Sequence, residues 1–337
     1  MYKVLMIGFG NVGKNLAALM NEHSGRLAGM GLEFRVVGVF TRSRGNVADP
    51  GGLDTRKLLG DISSHGRFTG PLVPISPLEA CREFDYDVMA ELSPLSVANR
   101  GEPAAAYISA ALGRGKHAVT ANKGPVAFAY QELSQLARDN GCRFLFESTV
   151  MDGAPIFNLV NRCMKGNVIT GFSGILNSTT NYVLTRMESG ASMDEAVREA
   201  IEIGSAEADP SDDIDGWDAA AKVSVLSRVL LGADVTPLGV RRSGIRDVTS
   251  EMIKDAASRG KRLKLMCRGR RIADGGVDAS VRVEEVLADD AFAGFSYHDS
   301  GINLESDLMA PIMVIQKNPA PRDTAFGVLE DMVSAYA

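Results

Sequence analysis

Apolar residues first gather in one short run, Tyr2 to Ile7, which is interrupted only at Lys3 and closes on Gly8. Such a run bounded by a turn residue predicts a strand buried on both faces. A helical pattern follows from about Asn11 to Met20, then a second β run, Phe34–Phe40. Glycines and polar clusters fill residues 41–70, which read as loop with a short helix or two. Asp87–Leu92 is the next strand candidate, Pro103 to Arg114 an alanine-rich helix, His117–Thr120 a strand, and Tyr130 to Asn140 a helix closed by Gly141. Strand and helix alternating in this order predict an α/β fold with a Rossmann-like, doubly wound parallel sheet over residues 1–142.

The rhythm then changes. Arg143–Glu147, Val168–Gly174, Lys261–Arg268, Val277–Val283 and Pro311–Gln316 read as strands, separated by helical spans at about 155–163, 179–203 and 217–231. This predicts a second, α+β domain over 143–316. The tail, 317–337, carries a helical pattern from Asp323 to Tyr336 and is expected to return to the first domain.

Composition narrows the class. The 337 residues are 45% hydrophobic and 23% charged, ordinary for a folded protein of two domains. A net charge of −6 with no long basic run argues against nucleic acid as a partner. No apolar run approaches the roughly 18 residues that cross a bilayer, and the N-terminus lacks signal-peptide character, so a cytoplasmic protein with no membrane contact is expected. Four dispersed cysteines are expected to be reduced and mostly buried, and four scattered histidines show no zinc-ligand spacing.

Gly8-Phe9-Gly10-Asn11-Val12-Gly13 matches G-x-G-x-x-G between the first strand and the first helix. The first glycine permits the turn, the second lets backbone approach a pyrophosphate, and the third allows close helix–strand packing. The alternative is a purely structural glycine turn. After the second strand comes Thr41-Arg42-Ser43-Arg44, with no acid to grip a ribose 2′-hydroxyl. Arg42 and Arg44 suit a 2′-phosphate, which favours NADP over NAD; otherwise they are solvated loop charges. Lys123, in Thr120–Pro125, leaves the end of a strand where ligands of open α/β sheets bind. Ser93, after Glu91, is placed to contact the nicotinamide side or simply to form a turn.

Six carboxylates fall from Glu207 to Asp218, and in the helix after them Val223, Val225, Leu226, Val229, Leu230 and Leu231 leave little polar face, so Asp218 and Lys222 are expected on a largely buried helix. These two stand at i and i+4, one above the other. On an exposed helix they would be a routine ion pair. On a buried one, charges persist when paired or when function needs them. A lysine in a desolvated pocket beside carboxylates can deliver and recover a proton, as carbonyl reduction requires. Glu207 and Asp213 are then candidates to hold a substrate ammonium group.

Five ordered segments together resemble the homoserine dehydrogenase family over essentially the whole chain: Gly8–Gly13, Thr120–Pro125, Phe146–Gly153, Gly174–Asn181 and Ala206–Lys222. The resemblance implies NAD(P)-linked interconversion of homoserine and aspartate 4-semialdehyde, in the biosynthesis of threonine, methionine and isoleucine. It implies Lys222 as proton donor and acceptor, Lys123 as a second lysine at the reacting centre, and Asp218 orienting that centre. Glu207, Asp213, Asn177 and Thr179 are implied to bind substrate, and Gly8, Gly10, Asn11, Val12, Gly13, Arg42, Arg44, Ser93 and Lys123 to bind cofactor. A structural sodium ion is implied near Glu147 and Val150, held mostly by backbone carbonyls, and a homodimer through the second domain. One departure stands out. Where many members have a glycine-rich stretch before the last helix, this chain reads Gln316–Thr324 with no glycine. No C-terminal regulatory domain or fused kinase is expected, and hence no threonine feedback through one.

Overall fold

The computed structural model describes residues 1–336 and divides into two units, Met1–Pro155 with 320–337, and Ile156–Pro319. The first holds strands β1 (Tyr2–Ile7), β2 (Phe34–Phe40), β3 (Val47–Ala48), β4 (Val88–Glu91), β5 (His117–Thr120) and β6 (Phe144–Leu145). Its helices are α1 (Asn11–Glu22), α2 (Ser24–Gly29), α3 (Thr55–His65), α4 (Pro77–Glu83), α5 (Ala104–Leu112) and α6 (Lys123–Asp139). The sheet order is β3-β2-β1-β4-β5-β6, the doubly wound order whose direction of winding reverses beside β1. All neighbours run parallel except the two-residue edge strand β3, which is antiparallel to β2. Val4, Leu5 and Met6 are fully buried, as a continuous apolar stretch in a parallel sheet should be.

The second unit begins with α7 (Ile156–Asn158), which continues as a π-helical turn over Leu159–Cys163. It then holds β7 (Ile169–Ile175), α8 (Ser178–Glu188), α9 (Met193–Glu202), α10 (Ser211–Ile214), α11 (Trp217–Leu230), β8 (Arg241–Arg242) and α12 (Ser250–Ser258). Strands β9 (Lys261–Arg271), β10 (Val277–Leu287), β11 (Ser300–Ser306) and β12 (Ile312–Gln316) complete it. Its sheet, β12-β11-β7-β9-β10-β8, is antiparallel apart from the β10–β8 pair. Helices α8, α11 and α12 pack against β9. The last helix, α13 (Pro321–Tyr336), belongs to the first unit, where Val328, Leu329, Met332 and Val333 join Leu16, Ala17 and Met20 of α1 in one core.

Several expectations need correction. The segment after Gly141 was expected to open the second domain, but Phe144–Leu145 pairs in parallel with Ala118–Val119 and closes the first sheet. The boundary therefore lies at 155/156 rather than 142/143. The span 179–203 is two helices. Gly190, at φ 101°, ends the first, and Ser192 with Glu195 forms a capping box that starts the next. The expected helix from Tyr130 is preceded by a further helical piece from Lys123, capped where Asn122 accepts from the Gly124 N–H, and the two join across a kink at Ala129 (φ −133°, ψ 22°). Of the cysteines, all free, only Cys81 and Cys267 are buried, and Cys163 is exposed.

Candidate active site

In the first unit, Gly8 sits at φ 101°, and a Cβ there would come within 2.6 Å of the Leu92 carbonyl oxygen. The turns leaving β1 and β4 thus pack backbone to backbone, which only glycine permits. A Cβ on Gly13 would meet the Gly8 carbonyl oxygen at 2.9 Å, so the third glycine serves helix–strand approach. At Gly10 an added Cβ would have nothing within 4 Å. Helix α1 starts at Asn11 with no side-chain cap and no acidic residue in its first turn. Its first N–H groups and dipole are therefore available to an anion in front of Gly10. These residues fit a dinucleotide's phosphates. Beyond β2, exposed Arg42 and half-buried Arg44 ride a turn pinned by Thr41 Oγ1, which donates to the Gly45 carbonyl and accepts from the Arg44 N–H.

The carboxyl ends of β4 and β5 are joined by a buried carboxylate. Glu91, fully buried, accepts from the Ser93 N–H at 2.9 Å, from the Ser93 hydroxyl, and from Thr120 Oγ1 at 2.9 Å. Burial pushes its carboxyl up, and the donors from Ser93, Thr120 and Asn122 oppose that rise. Asn122 reaches back to the Pro94 carbonyl at 3.3 Å while capping α6, so Lys123 enters the first turn of that helix from a fixed backbone. The Ser93 hydroxyl donates to Glu91 and accepts from the Asn122 amide at 3.4 Å, which ties the ends of the two strands together. At the end of the sheet, Glu147 (4% exposed) opens a 3-10 turn, Glu147–Thr149, ahead of buried Val150. The Phe146 carbonyl accepts from the Thr149 N–H and hydroxyl, and the Glu147 N–H donates to Asp331 Oδ2 at 2.8 Å.

In the second unit the acidic cluster resolves into distinct roles. Helix α11 carries Ala219, Ala220, Ala221, Val223, Val225 and Leu226 at zero exposure, so Asp218 and Lys222 are held at the edge of a packed core, while a third charge, Arg228, is buried in its last turn. The Lys222 side chain is 15% exposed and that of Asp218 18%, and Lys222 Nζ lies 3.3 Å from Asp218 Oδ2. The same amine donates to the Leu176 carbonyl at 2.5 Å, at the end of β7. Asn177, next in the chain, donates its amide to Asp213 Oδ1 at 2.6 Å and to Asp218 Oδ2 at 3.0 Å. Its own Oδ1 caps α8 through the Thr180 N–H at 2.8 Å. Burial raises the Asp213 carboxyl, the neighbouring Asp218 charge raises it further, and bonds from Asn177 and Thr179 with the charge of Lys222 pull it down.

Asn177, Thr179, Asp213, Asp218 and Lys222 are therefore one network, drawn from α8 with its cap, α10 and α11. Glu207 lies outside it, exposed on the loop between α9 and α10. Cys267 is buried close to Lys222, and burial pushes its thiol up to about 12, unsuited to nucleophilic chemistry. Sequence reasoning missed the Leu176 carbonyl, and it placed Glu91 beside Ser93 at a strand end without its buried hydrogen bonds. Backbone acceptors leave no trace in residue type. Glu91 had a signal, a carboxylate inside the buried strand Val88–Glu91.

Two family models match the chain, one described as the NAD-binding domain of homoserine dehydrogenase over residues 8–147, the other as homoserine dehydrogenase over residues 155–333. The chain belongs to the homoserine dehydrogenase family. It is similar to an NAD(+)-dependent homoserine dehydrogenase of Pseudomonas canavaninivorans, 36% identical over 99% of this chain and 96% of that protein. The homoserine dehydrogenase of Methanocaldococcus jannaschii is 33% identical over 99% of this chain and 98% of its own length. Among solved structures, a homoserine dehydrogenase from Archaeoglobus fulgidus described as putative superposes with a TM-score of 0.89 at 30% identity, covering both chains completely. A hyperthermophilic archaeal homoserine dehydrogenase in complex with NADPH gives 0.83 at 27% identity, over 99% of this chain and 97% of that one. The enzyme is thus an NAD(P)-dependent oxidoreductase on a Rossmann-type α/β fold. No helix among the described residues is long and apolar enough to cross a membrane.

Proposed function

We propose that this enzyme interconverts L-homoserine and L-aspartate 4-semialdehyde by direct hydride transfer, with Lys222 as the proton donor and acceptor. The nicotinamide cofactor, when bound, supplies or accepts the hydride. During reduction the Lys222 ammonium gives a proton to the oxygen that develops negative charge, and in the reverse direction the neutral amine takes it back. Asp218 stabilises the ammonium, while the Leu176 carbonyl fixes where Nζ points. Asp213 and Glu207 hold the substrate's ammonium, with Asn177 and Thr179 orienting Asp213. Lys123 is the second lysine of the reacting centre. The observation that carries this reading is a lysine amine, mostly withdrawn from water, lying beside a carboxylate that a buried asparagine also clamps.

Gly8, Gly10, Asn11, Val12 and Gly13 cradle the cofactor phosphates in this reading, and Ser93 and Lys123 lie toward its nicotinamide. NADP is preferred, because no acid follows β2 and Arg42 and Arg44 do. The Pseudomonas relative is named for NAD(+) and the archaeal neighbour carries NADPH, so relatives of this kind do not speak with one voice. The first unit is the dinucleotide-binding domain, and the second binds substrate and forms a homodimer. A sodium ion near Glu147 and Val150 belongs to the same reading. The described residues hold no group of three or more His, Cys, Asp or Glu side chains suited to a metal, so such an ion would rest mainly on carbonyl oxygens. The setting is cytoplasmic, in threonine, methionine and isoleucine formation.

Absorbance of the reduced nicotinamide, followed with L-homoserine and each cofactor in turn, tests the reaction and the cofactor preference together. Lys222→Ala should lose about 10²–10⁴-fold in kcat with cofactor affinity unchanged. Full turnover in that variant removes the lysine from the mechanism.

A further inference from the structure

The loop between α9 and α10, residues 203–210, carries Glu207 but contributes little buried surface of its own: Ile203, Gly204 and residues 207–209 are exposed. Something must hold it if Glu207 is to meet a substrate at a defined place. Ser205 is the residue by which the loop is gripped. Its carbonyl accepts from Thr179 Oγ1 at 3.1 Å, on the first turn of α8. Its hydroxyl lies 2.6 Å from Nε2 of His298, 93 positions further along the chain.

His298 is itself held on three sides. Its ring stacks on Tyr182 of α8, centroids 5.1 Å apart and planes at 26°. Nδ1 lies 3.2 Å from Oδ1 of Asn318, in the glycine-free segment before α13. That oxygen only accepts, so Nδ1 carries the proton and the Ser205 hydroxyl donates to Nε2. The backbone around the histidine is anchored to the same helix: the Asn181 amide donates to the carbonyls of Tyr297 and Asp299 at 3.0 and 3.3 Å, and the Tyr297 N–H to Thr185 Oγ1 at 3.1 Å. Asp299 in turn accepts from the Asn318 N–H at 3.2 Å and from Lys317 Nζ at 2.9 Å.

We propose that His298 is a positioning residue for the homoserine site: through Ser205 it fixes the loop that bears Glu207 against α8, the helix whose cap, Asn177, clamps Asp213 and Asp218. This rests on the reading of Glu207 as a substrate ligand. The histidine acts through Ser205 and the loop, so its loss falls on substrate affinity and leaves the proton transfer in place. It also gives the glycine-free segment a purpose, since Asn318 sets the histidine's tautomer.

The test compares His298→Ala, His298→Gln, Ser205→Ala and the His298→Ala/Ser205→Ala double variant with the parent enzyme. One hydrogen bond's worth, roughly 0.5–1.5 kcal/mol, corresponds to a rise in KM for homoserine of about 2- to 13-fold. The expected result is that rise in both single alanine variants, kcat and cofactor affinity held, partial recovery in His298→Gln, and a double variant no worse than either single. Amide hydrogen exchange in residues 203–208 should accelerate in both alanine variants. An unchanged KM with unchanged exchange overturns the proposal, as do single effects that simply add in the double variant, or a fall in kcat and stability that glutamine does not reverse. If His298→Ala does not fold, Ser205→Ala carries the measurement by itself. If the parent enzyme does not oxidise homoserine, the reading of the site fails first, and exchange in the loop still decides whether His298 holds it.

Discussion

Asp213 shows how one residue serves conflicting demands. Burial and the nearby Asp218 charge both raise its carboxyl, so at neutral pH its ionisation costs folding free energy. The cost is absent while the group is protonated in folded and unfolded chains alike, and appears as the pH rises through the ordinary aspartate range near about 4 and above. Asp213→Asn should therefore melt at a higher temperature than the parent at neutral pH, with the gain vanishing at about pH 3. It should also raise KM for homoserine, the usual exchange of stability for function at a binding site. Thermal melts across pH with parallel kinetics check this; a gain that persists undiminished in acid would show that packing, and not charge, is responsible. The candidate residues were legible here because charge on an apolar helix is conspicuous in sequence. The Leu176 carbonyl and the His298 ring were not, since what makes them functional is who their neighbours are.

At the scale of elements, the first turn of α8 does two jobs with one side chain. Asn177 Oδ1 caps the helix at the Thr180 N–H, and the amide nitrogen bridges Asp213 and Asp218. The two jobs separate by substitution. Asn177→Ala should lose about 0.5–2 kcal/mol of stability with the cap. Asn177→Ser keeps a capping oxygen but no amide to donate, so its melting temperature should stay near the parent's while kcat/KM falls. Calorimetry beside steady-state assays distinguishes them; a fully active serine variant would mean the bridge to the carboxylates is dispensable. Element boundaries were less legible than elements. The capping box at Ser192 and the turn at Gly190 were in plain view within the span 179–203, and the Asn122 cap was in view before Lys123. By contrast β11 has only Ile302 and Leu304 as apolar residues, and it becomes a strand because β7 and β12 flank it.

Across the whole molecule the chain leaves its first unit at Pro155 and returns to it at Ala320. Val328, Leu329, Met332 and Val333 of α13, with the smaller Ala325, complete that unit's core, and the four large side chains carry most of the burial. At about 1.5–3 kcal/mol for each fully buried side chain, they contribute on the order of 6 kcal/mol or more. That is comparable to the 5–15 kcal/mol that typically separates folded from unfolded chains, roughly. Truncation after Pro319 should abolish cooperative melting of the first unit and, with it, cofactor binding, as read by circular dichroism and cofactor titration. A truncated chain that still binds cofactor and melts cooperatively would show α13 to be peripheral.

What the sequence determined by itself was what depends on neighbours along the chain. Apolar periodicity dictated the strands of the parallel sheet, the glycine spacing dictated the turn into α1, and the i, i+4 pair dictated that Asp218 and Lys222 meet. Tertiary structure alone decided the rest: which sheet Phe144–Leu145 joins, that α13 returns to cover α1, and that Asn177, Asp213 and Lys222 share one network while Ser205 finds His298. Those outcomes turn on desolvation and on contacts between residues tens or hundreds of positions apart, whose free energy appears only when the whole apolar surface is buried at once.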